Sequence, residues 1–215
     1  MNSYLTLMQT AQDETLINKS RFIGSAAPVQ STEEALAFLA GIREKYRDAN
    51  HHCYAYIVGQ NAGIMRYSDD GEPGGTAGMP MIEVMKAKKV VNGIVVVTRY
   101  FGGVLLGAGG LVRAYSHTCA LALKAAQICR MHPTQRWLME VDYGLWDKVR
   151  YGMKSLPLHL ESTEFTSAVG FELSVRSEDA QWVLEELKRV TDGKIEALLM
   201  EENFAPWAEE ELSEE

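Results

Sequence analysis

Two glycine-rich stretches hold the residues of this chain best suited to chemistry: residues 66–78 (RYSDDGEPGGTAG) and residues 98–116 (TRYFGGVLLGAGGLVRAYS). In the first, Arg66 and Ser68 lead into three carboxylates within four positions, Asp69, Asp70 and Glu72. Carboxylates so close together could act as bases or hold a hard cation, but the spacing is not that of an EF-hand and no GxxxxGK[ST] phosphate loop is present. Gly75 and Thr76 follow in turn-forming context, with Thr76 expected to cap a helix whose free amides could hold an anion. In the second stretch, Arg99, Tyr100, Phe101, Gly102 and Gly103 stand at the exit of an apolar run. Gly109 and Gly110 then open a helix with Arg113 one turn inside. GAGGLV lacks the GxGxxG spacing of a dinucleotide fingerprint. Arginines and aromatic rings beside exposed amides instead suit a phosphate backbone with stacked bases. The competing structural reading buries Tyr100 and Phe101, uses the glycines for close packing, and pairs Arg99 or Arg113 with Asp69, Asp70 or Glu72 inside the fold. His51 and Cys53 alternate on a strand and could converge, but no second cluster completes a metal site, so hydrogen-bonded structural histidines are expected.

The elements that must position these residues can be read from periodicity. LINKSRFIGSAAPV predicts a strand, and Ser31-Thr32-Glu33-Glu34 opens a helix with Ala35, Leu36, Phe38, Leu39 and Ile42 on one face. CYAYIVG and GIMRYSD predict a hairpin across a turn containing Asn61 and Gly63. A helix is expected from Thr76 to Lys88, with Met79, Ile82, Val84 and Met85 inward. GIVVVTRYF reads as a strand buried on both faces, followed by a helix through Ala126. Beyond His132-Pro133 the pattern is strand, helix, strand, strand, helix, strand, the βαββαβ order of the ferredoxin-like fold. The fold class is therefore α+β in two domains, 1–131 and 132–215.

Charge supports that division. Residues 1–130 carry 13 Lys and Arg against 10 Asp and Glu, whereas residues 131–215 carry 8 against 19 and end in AEEELSEE. The overall charge of −8 conceals a mildly basic half and a strongly acidic one. No apolar run is long enough to span a membrane, and the N-terminus lacks the pattern of a signal peptide, so a cytoplasmic protein is expected. Three cysteines, widely spaced and never CxxC, argue against a disulfide framework or a zinc ribbon.

Four blocks carry a family resemblance: Lys19 through Gly24 (KSRFIG), REKYRDANHHCYAY, RYSDDGEPGGTAGMP and VVVTRYFGGVLLGAGGLVRAYS. Their order and content, over roughly residues 15–126, resemble the IMPACT family of the bacterial YigZ type. The resemblance implies an N-terminal domain similar to the second domain of a small-subunit ribosomal protein and to domain IV of elongation factor G. It also implies a C-terminal domain similar to that factor's ferredoxin-like domain V. Eukaryotic relatives are translation regulators in the amino-acid starvation kinase pathway, with an additional N-terminal interaction domain not matched in this sequence. Gly75, Tyr46 and Asn50-His51-His52 depart from the residues common in the family, and no catalytic residue is carried over.

The functional expectation is a noncatalytic RNA- or ribosome-associated protein of translation regulation. Its contact surface would lie around Arg66, Arg99, Tyr100 and Arg113, and it needs neither cofactor nor metal. The acidic C-terminal domain is expected to face a protein partner, and neither a membrane nor specific DNA is expected as a partner. The alternative is a small-molecule enzyme binding an anion or nucleotide where SDDGEPGGTAG meets RYFGG.

Overall fold

The computed structural model describes residues 2–207. The chain divides into two compact units, one spanning Tyr4–Arg130 and the other combining residues 2–3 with the chain from Met131 onward. In the first unit, β1 (Tyr4–Leu7) is followed by β2 (Ala11–Ile17), β3 (Ser20–Pro28), α1 (Thr32–Lys45), β4 (His51–Val58) and β5 (Ile64–Ser68). Then come α2 (Gly78–Ala87), β6 (Gly93–Tyr100) and α3 (Gly107–Ala125). The sheet order is β2-β3-β6-β4-β5, and every neighbouring pair is antiparallel.

The central strand β6 is buried on both faces, as its unbroken run of Ile and Val predicts. Ile94 and Val96 join the side chains of α1, Ala35, Leu39 and Ile42, in one apolar cluster. Val95 and Val97 face the other way, into the larger cluster with Met81, Met85, Leu111, Tyr115 and Cys119 of α2 and α3. Antiparallel pairing runs the ends of β3, β4 and β6 to one edge of this sandwich. There Phe22 pairs with Arg99, and His51 pairs with Arg99 from the other side.

Three local expectations are corrected. The segment read as one strand is a hairpin, β2 and β3 joined at Asn18-Lys19, both at positive φ (46° and 66°). Such a two-residue turn matches the strand twist, yet it is usually built with glycine, so Asn-Lys left no break in the pattern. Helix α2 begins at Gly78 rather than Thr76, because residues 73–76 close a turn in which the Thr76 N–H donates to the Pro73 carbonyl. Met79 is consequently exposed, and Met81 takes the core position beside Ile82 and Met85. Helix α1 follows its signals, with Ser31 accepting from the Glu34 N–H and Glu34 accepting from the Gln30 N–H, although Leu36 is exposed.

β7 (Ile128–Val141) crosses from the first unit into the second, which goes on with α4 (Tyr143–Met153), β8 (Leu158–Phe165), β9 (Val169–Arg176), α5 (Ala180–Val190) and β10 (Ile195–Pro206). Strands β10, β7, β9 and β8 lie side by side in that order, all antiparallel, and β1 also pairs with β7. Strict alternation along β9 sends Val169, Phe171, Leu173 and Val175 inward, where they meet Val149 and Met153 of α4 and Val183 and Leu187 of α5. The expected terminal segment beyond Trp207 lies outside the described residues. None of the described helices is long and apolar enough to cross a membrane.

Candidate functional site

The three carboxylates of the first glycine-rich stretch do three different jobs. Asp69 caps α2: its Oδ1 accepts the amides of Ala77 (3.0 Å) and Gly78 (2.8 Å), and its Oδ2 accepts that of Gly75 (2.8 Å). A carboxylate there also meets the positive end of the helix dipole. Thr76, the expected cap, instead donates its hydroxyl to the Pro73 carbonyl. Asp70 ties the loop to α1 and β4, accepting from Arg43 Nη2 at 2.9 Å and from the His52 N–H at 2.6 Å. Ser68 Oγ accepts the Asp70 N–H and tightens the same turn.

Glu72 goes inward. Its Oε1 accepts from Arg99 Nη1 and from the Tyr115 hydroxyl, both at 2.6 Å, with the Glu72 and Arg99 side chains only 3% and 6% exposed. This is the internal ion pair that the competing structural reading anticipated. The Arg99 guanidinium is also sandwiched, 5.3 Å from the Phe22 ring and 5.5 Å from that of Phe101, while Arg99 Nη2 reaches Ser20 Oγ at 3.4 Å. Arg99 Nε is buried without an acceptor among the described residues. Beneath the pair, burial raises the Tyr115 hydroxyl and pushes the Cys53 thiol up to about 12, so Cys53, donating to the Asp69 carbonyl at 2.9 Å, is no nucleophile.

A cleft of about 390 Å³ opens above this pair. Its walls are apolar, from Pro73, Phe101, Leu105, Leu106 and Leu111, and its polar lining comes from Asn50, His51, Glu72 and Arg99. That volume lies near the lower end of the ~300–1,000 Å³ typical of small-ligand sites. The two histidines are not equivalent. His52 is buried, with Nε2 at 3.1 Å from the Tyr46 carbonyl, and burial lowers its pKa. His51 Nδ1 lies 2.8 Å from the Asp70 carbonyl, which can only accept, so the proton sits on Nδ1. His51 Nε2 is 3.9 Å from Glu72 Oε1, beyond hydrogen-bond distance.

Helix α3 starts at the rim of the cleft. Its N-cap, Leu106, offers no side-chain acceptor, so the first amides, from Gly107 to Gly109, lack a side-chain cap. The exposed Arg113 curls back toward this turn, its Nη1 lying 3.8 Å from where a Cβ on Gly109 would sit. Other glycines serve the fold itself. A Cβ on Gly102 would lie 2.0 Å from the Lys19 carbonyl carbon, and one on Gly78 would lie 2.8 Å from the Ser68 backbone. Gly103, at φ 81°, completes the turn after Gly102. Tyr100 donates its hydroxyl to Asp48 at 2.8 Å. Arg66 is exposed on β5 opposite Tyr56, which in turn pairs with Ile94 on β6. Five positions along β6 separate Ile94 from Arg99, about 16 Å at strand spacing, so the structure does not bring Arg66 to the cleft.

Residues 18–123 match the model of the Impact N-terminal domain. The IMPACT family member YvyE of Bacillus subtilis is 34% identical over 194 residues, covering 90% of this chain and 89% of its own length. This chain belongs to the IMPACT family. The IMPACT likeness extends to a Saccharomyces cerevisiae protein IMPACT homolog, 38% identical over 101 residues, covering 46% of this chain and 39% of that protein. A crystal structure of a hypothetical protein superposes with TM-score 0.59 at 29% identity, covering 94% of this chain and 98% of its own. Every residue of the cleft falls inside the segment matched to the Impact N-terminal domain.

Several residues of this IMPACT site escaped the sequence reading. Tyr115 was legible only as part of an apolar helix face, and Ser20 only as a strand residue. His51 was set apart from His52 by alternation, but both were expected to be structural, and only the fold shows that His51 lines the cleft.

Proposed function

We propose that this protein is a noncatalytic, cytoplasmic RNA- or ribosome-associated factor of translation regulation that meets RNA at the α3 end of its N-terminal unit. The observation that carries this reading is the exposed Phe101 ring at the cleft mouth, backed by a charge-compensated Arg99 and set beside the uncapped start of α3 with Arg113. A ring for a base and amides with a guanidinium for a phosphate are what single-stranded RNA requires. Arg99 acts as the buried support of that ring and Arg113 as the contact. The N-terminal unit then corresponds to the domain IV fold of elongation factor G. The strand order β10-β7-β9-β8 with both helices in one cluster supports a ferredoxin-like C-terminal unit, whose acidic surface would face a protein partner.

The test is gradient sedimentation of lysate through a salt series, following the protein beside ribosomal subunits. Cofractionation should fall steeply with salt, because phosphate contacts release counterions. It should be lost in an Arg113→Glu, Phe101→Ala double variant, which leaves the buried ion pair intact. Cofractionation unchanged in that variant would remove the contact assignment.

A further inference from the structure

We propose that the cleft above the Glu72–Arg99 pair binds a single 5′-phosphorylated nucleotide, its base on Phe101 and its phosphate on the first turn of α3. The proposal deepens the RNA-contact reading and rests on it for the location of the site. Four observations converge. The cavity is an open cleft, and at about 390 Å³ it suits one nucleotide rather than a folded surface. One wall is an aromatic ring, 45% exposed in Phe101, with Leu105, 86% exposed, also lining the cleft; apolar groups this exposed gain most from a planar ligand. At the rim, the α3 amides of Gly107 and Ala108 lack a side-chain cap, and Arg113, which lines an adjoining cavity that shares Leu106 with this one, adds positive charge to the same end of the helix, a combination that favours a phosphate.

The fourth observation points to the polar edge of the ligand. Asn50 lines the cleft, and its Oδ1 accepts the Phe101 N–H at 2.8 Å, which leaves its side-chain N–H groups as donors for a ligand. Beside it, His51 presents an Nε2 lone pair whose orientation is set by the Asp70 carbonyl. A donor and an acceptor in one apolar cavity match the edge of a nucleobase, which presents both. The buried carboxylate does not repel the ligand, since Arg99 and Tyr115 both bond to it.

Two sources share this chemistry: a free nucleoside monophosphate and the 5′-phosphorylated end of an RNA. The experiment uses the full chain, with AMP, UMP, adenosine and a 5′-phosphorylated hexanucleotide as probes. It follows the backbone amide resonances of Gly107, Gly109 and Gly110 together with calorimetric affinity. Saturable shifts at those glycines with AMP, and weaker but measurable binding of adenosine, are expected. Phe101→Ala should weaken binding roughly ten- to a hundredfold, the usual worth of a stacked base. Arg113→Gln should reduce the preference for AMP over adenosine without abolishing adenosine binding. A hexanucleotide binding at least about tenfold tighter than AMP identifies an RNA end as the natural occupant, and equal affinities identify a free nucleotide.

No saturable shift with any probe, shifts confined to other residues, or Phe101→Ala affinity equal to wild type would overturn the proposal. Ribosome cofractionation that survives while all probes fail would sink the nucleotide pocket alone. Nucleotide binding without cofractionation would leave the pocket and remove the ribosome reading.

Discussion

Glu72 is the residue on which the N-terminal unit's site turns, because one carboxylate oxygen satisfies a buried guanidinium and a buried phenol together. Replacing it with alanine leaves Arg99 charged, desolvated and unpaired, which should cost about 3–5 kcal/mol. A urea titration reads this directly, and a midpoint within error of wild type would mean the pair is not buried in solution. His52 provides a second test. Burial lowers its folded-state pKa below the ordinary value of 6.5, so the unfolded chain binds the extra proton first. The stability His52 contributes is thus complete above about pH 6.5 and is lost as pH falls toward the depressed folded value. Between pH 7 and pH 5 the wild-type urea midpoint should fall more than that of a His52→Gln variant. Equal falls in the two proteins would show that His52 is not desolvated.

At the scale of elements, α2 owes its start to a residue nine positions before it. Asp69 bonds three amides, including those of Ala77 and Gly78, across the turn that brings Glu72 inward. Asp69→Ala should therefore destabilise the protein by about 1–2 kcal/mol, at the upper end for a single cap. Hydrogen exchange should show the Ala77 and Gly78 amides losing protection ahead of the β6 amides. Uniform loss across the sheet would instead assign Asp69 a global role. The glycines around this turn belong to the same logic. Gly78 and Gly102 bring backbone against backbone of the fold itself, so part of the glycine density of these stretches serves close packing.

Across the whole molecule, the charge division has a consequence for nucleic-acid binding. Residues 131–215 carry 19 acidic against 8 basic side chains, while residues 1–130 carry a small basic excess. Electrostatic repulsion from the acidic part should weaken the full chain's affinity for RNA relative to a fragment of residues 1–130. Filter binding to an unstructured oligonucleotide should show a several-fold difference at low salt that shrinks as the Debye length falls from ~10 Å at 0.1 M toward ~3 Å at 1 M. A difference that persists at high salt would point to steric blocking by the second unit instead.

Much of this protein was determined by sequence patterns alone. Alternation along CYAYIVG and AVGFELSVR, the unbroken run of β6 and the capping signal at Ser31 are local properties, set by which side chains must leave water at periods of 2 and 3.6. The four signature blocks placed the chain in its family for the same reason, since residue identity in order needs no coordinates. The roles of the charged residues were decided only by tertiary structure. Asp69, Asp70 and Glu72 are neighbours of one chemical type, yet one caps a helix, one ties a loop to Arg43, and one is buried on Arg99. Arg99 and Glu72 are 27 positions apart, and no local periodicity couples them. Only the antiparallel register that sets His51 and Phe22 either side of Arg99 brings them under one cleft. A carboxylate's chemistry depends on how much water and which cation the fold leaves beside it, and those are properties of packing rather than of spacing.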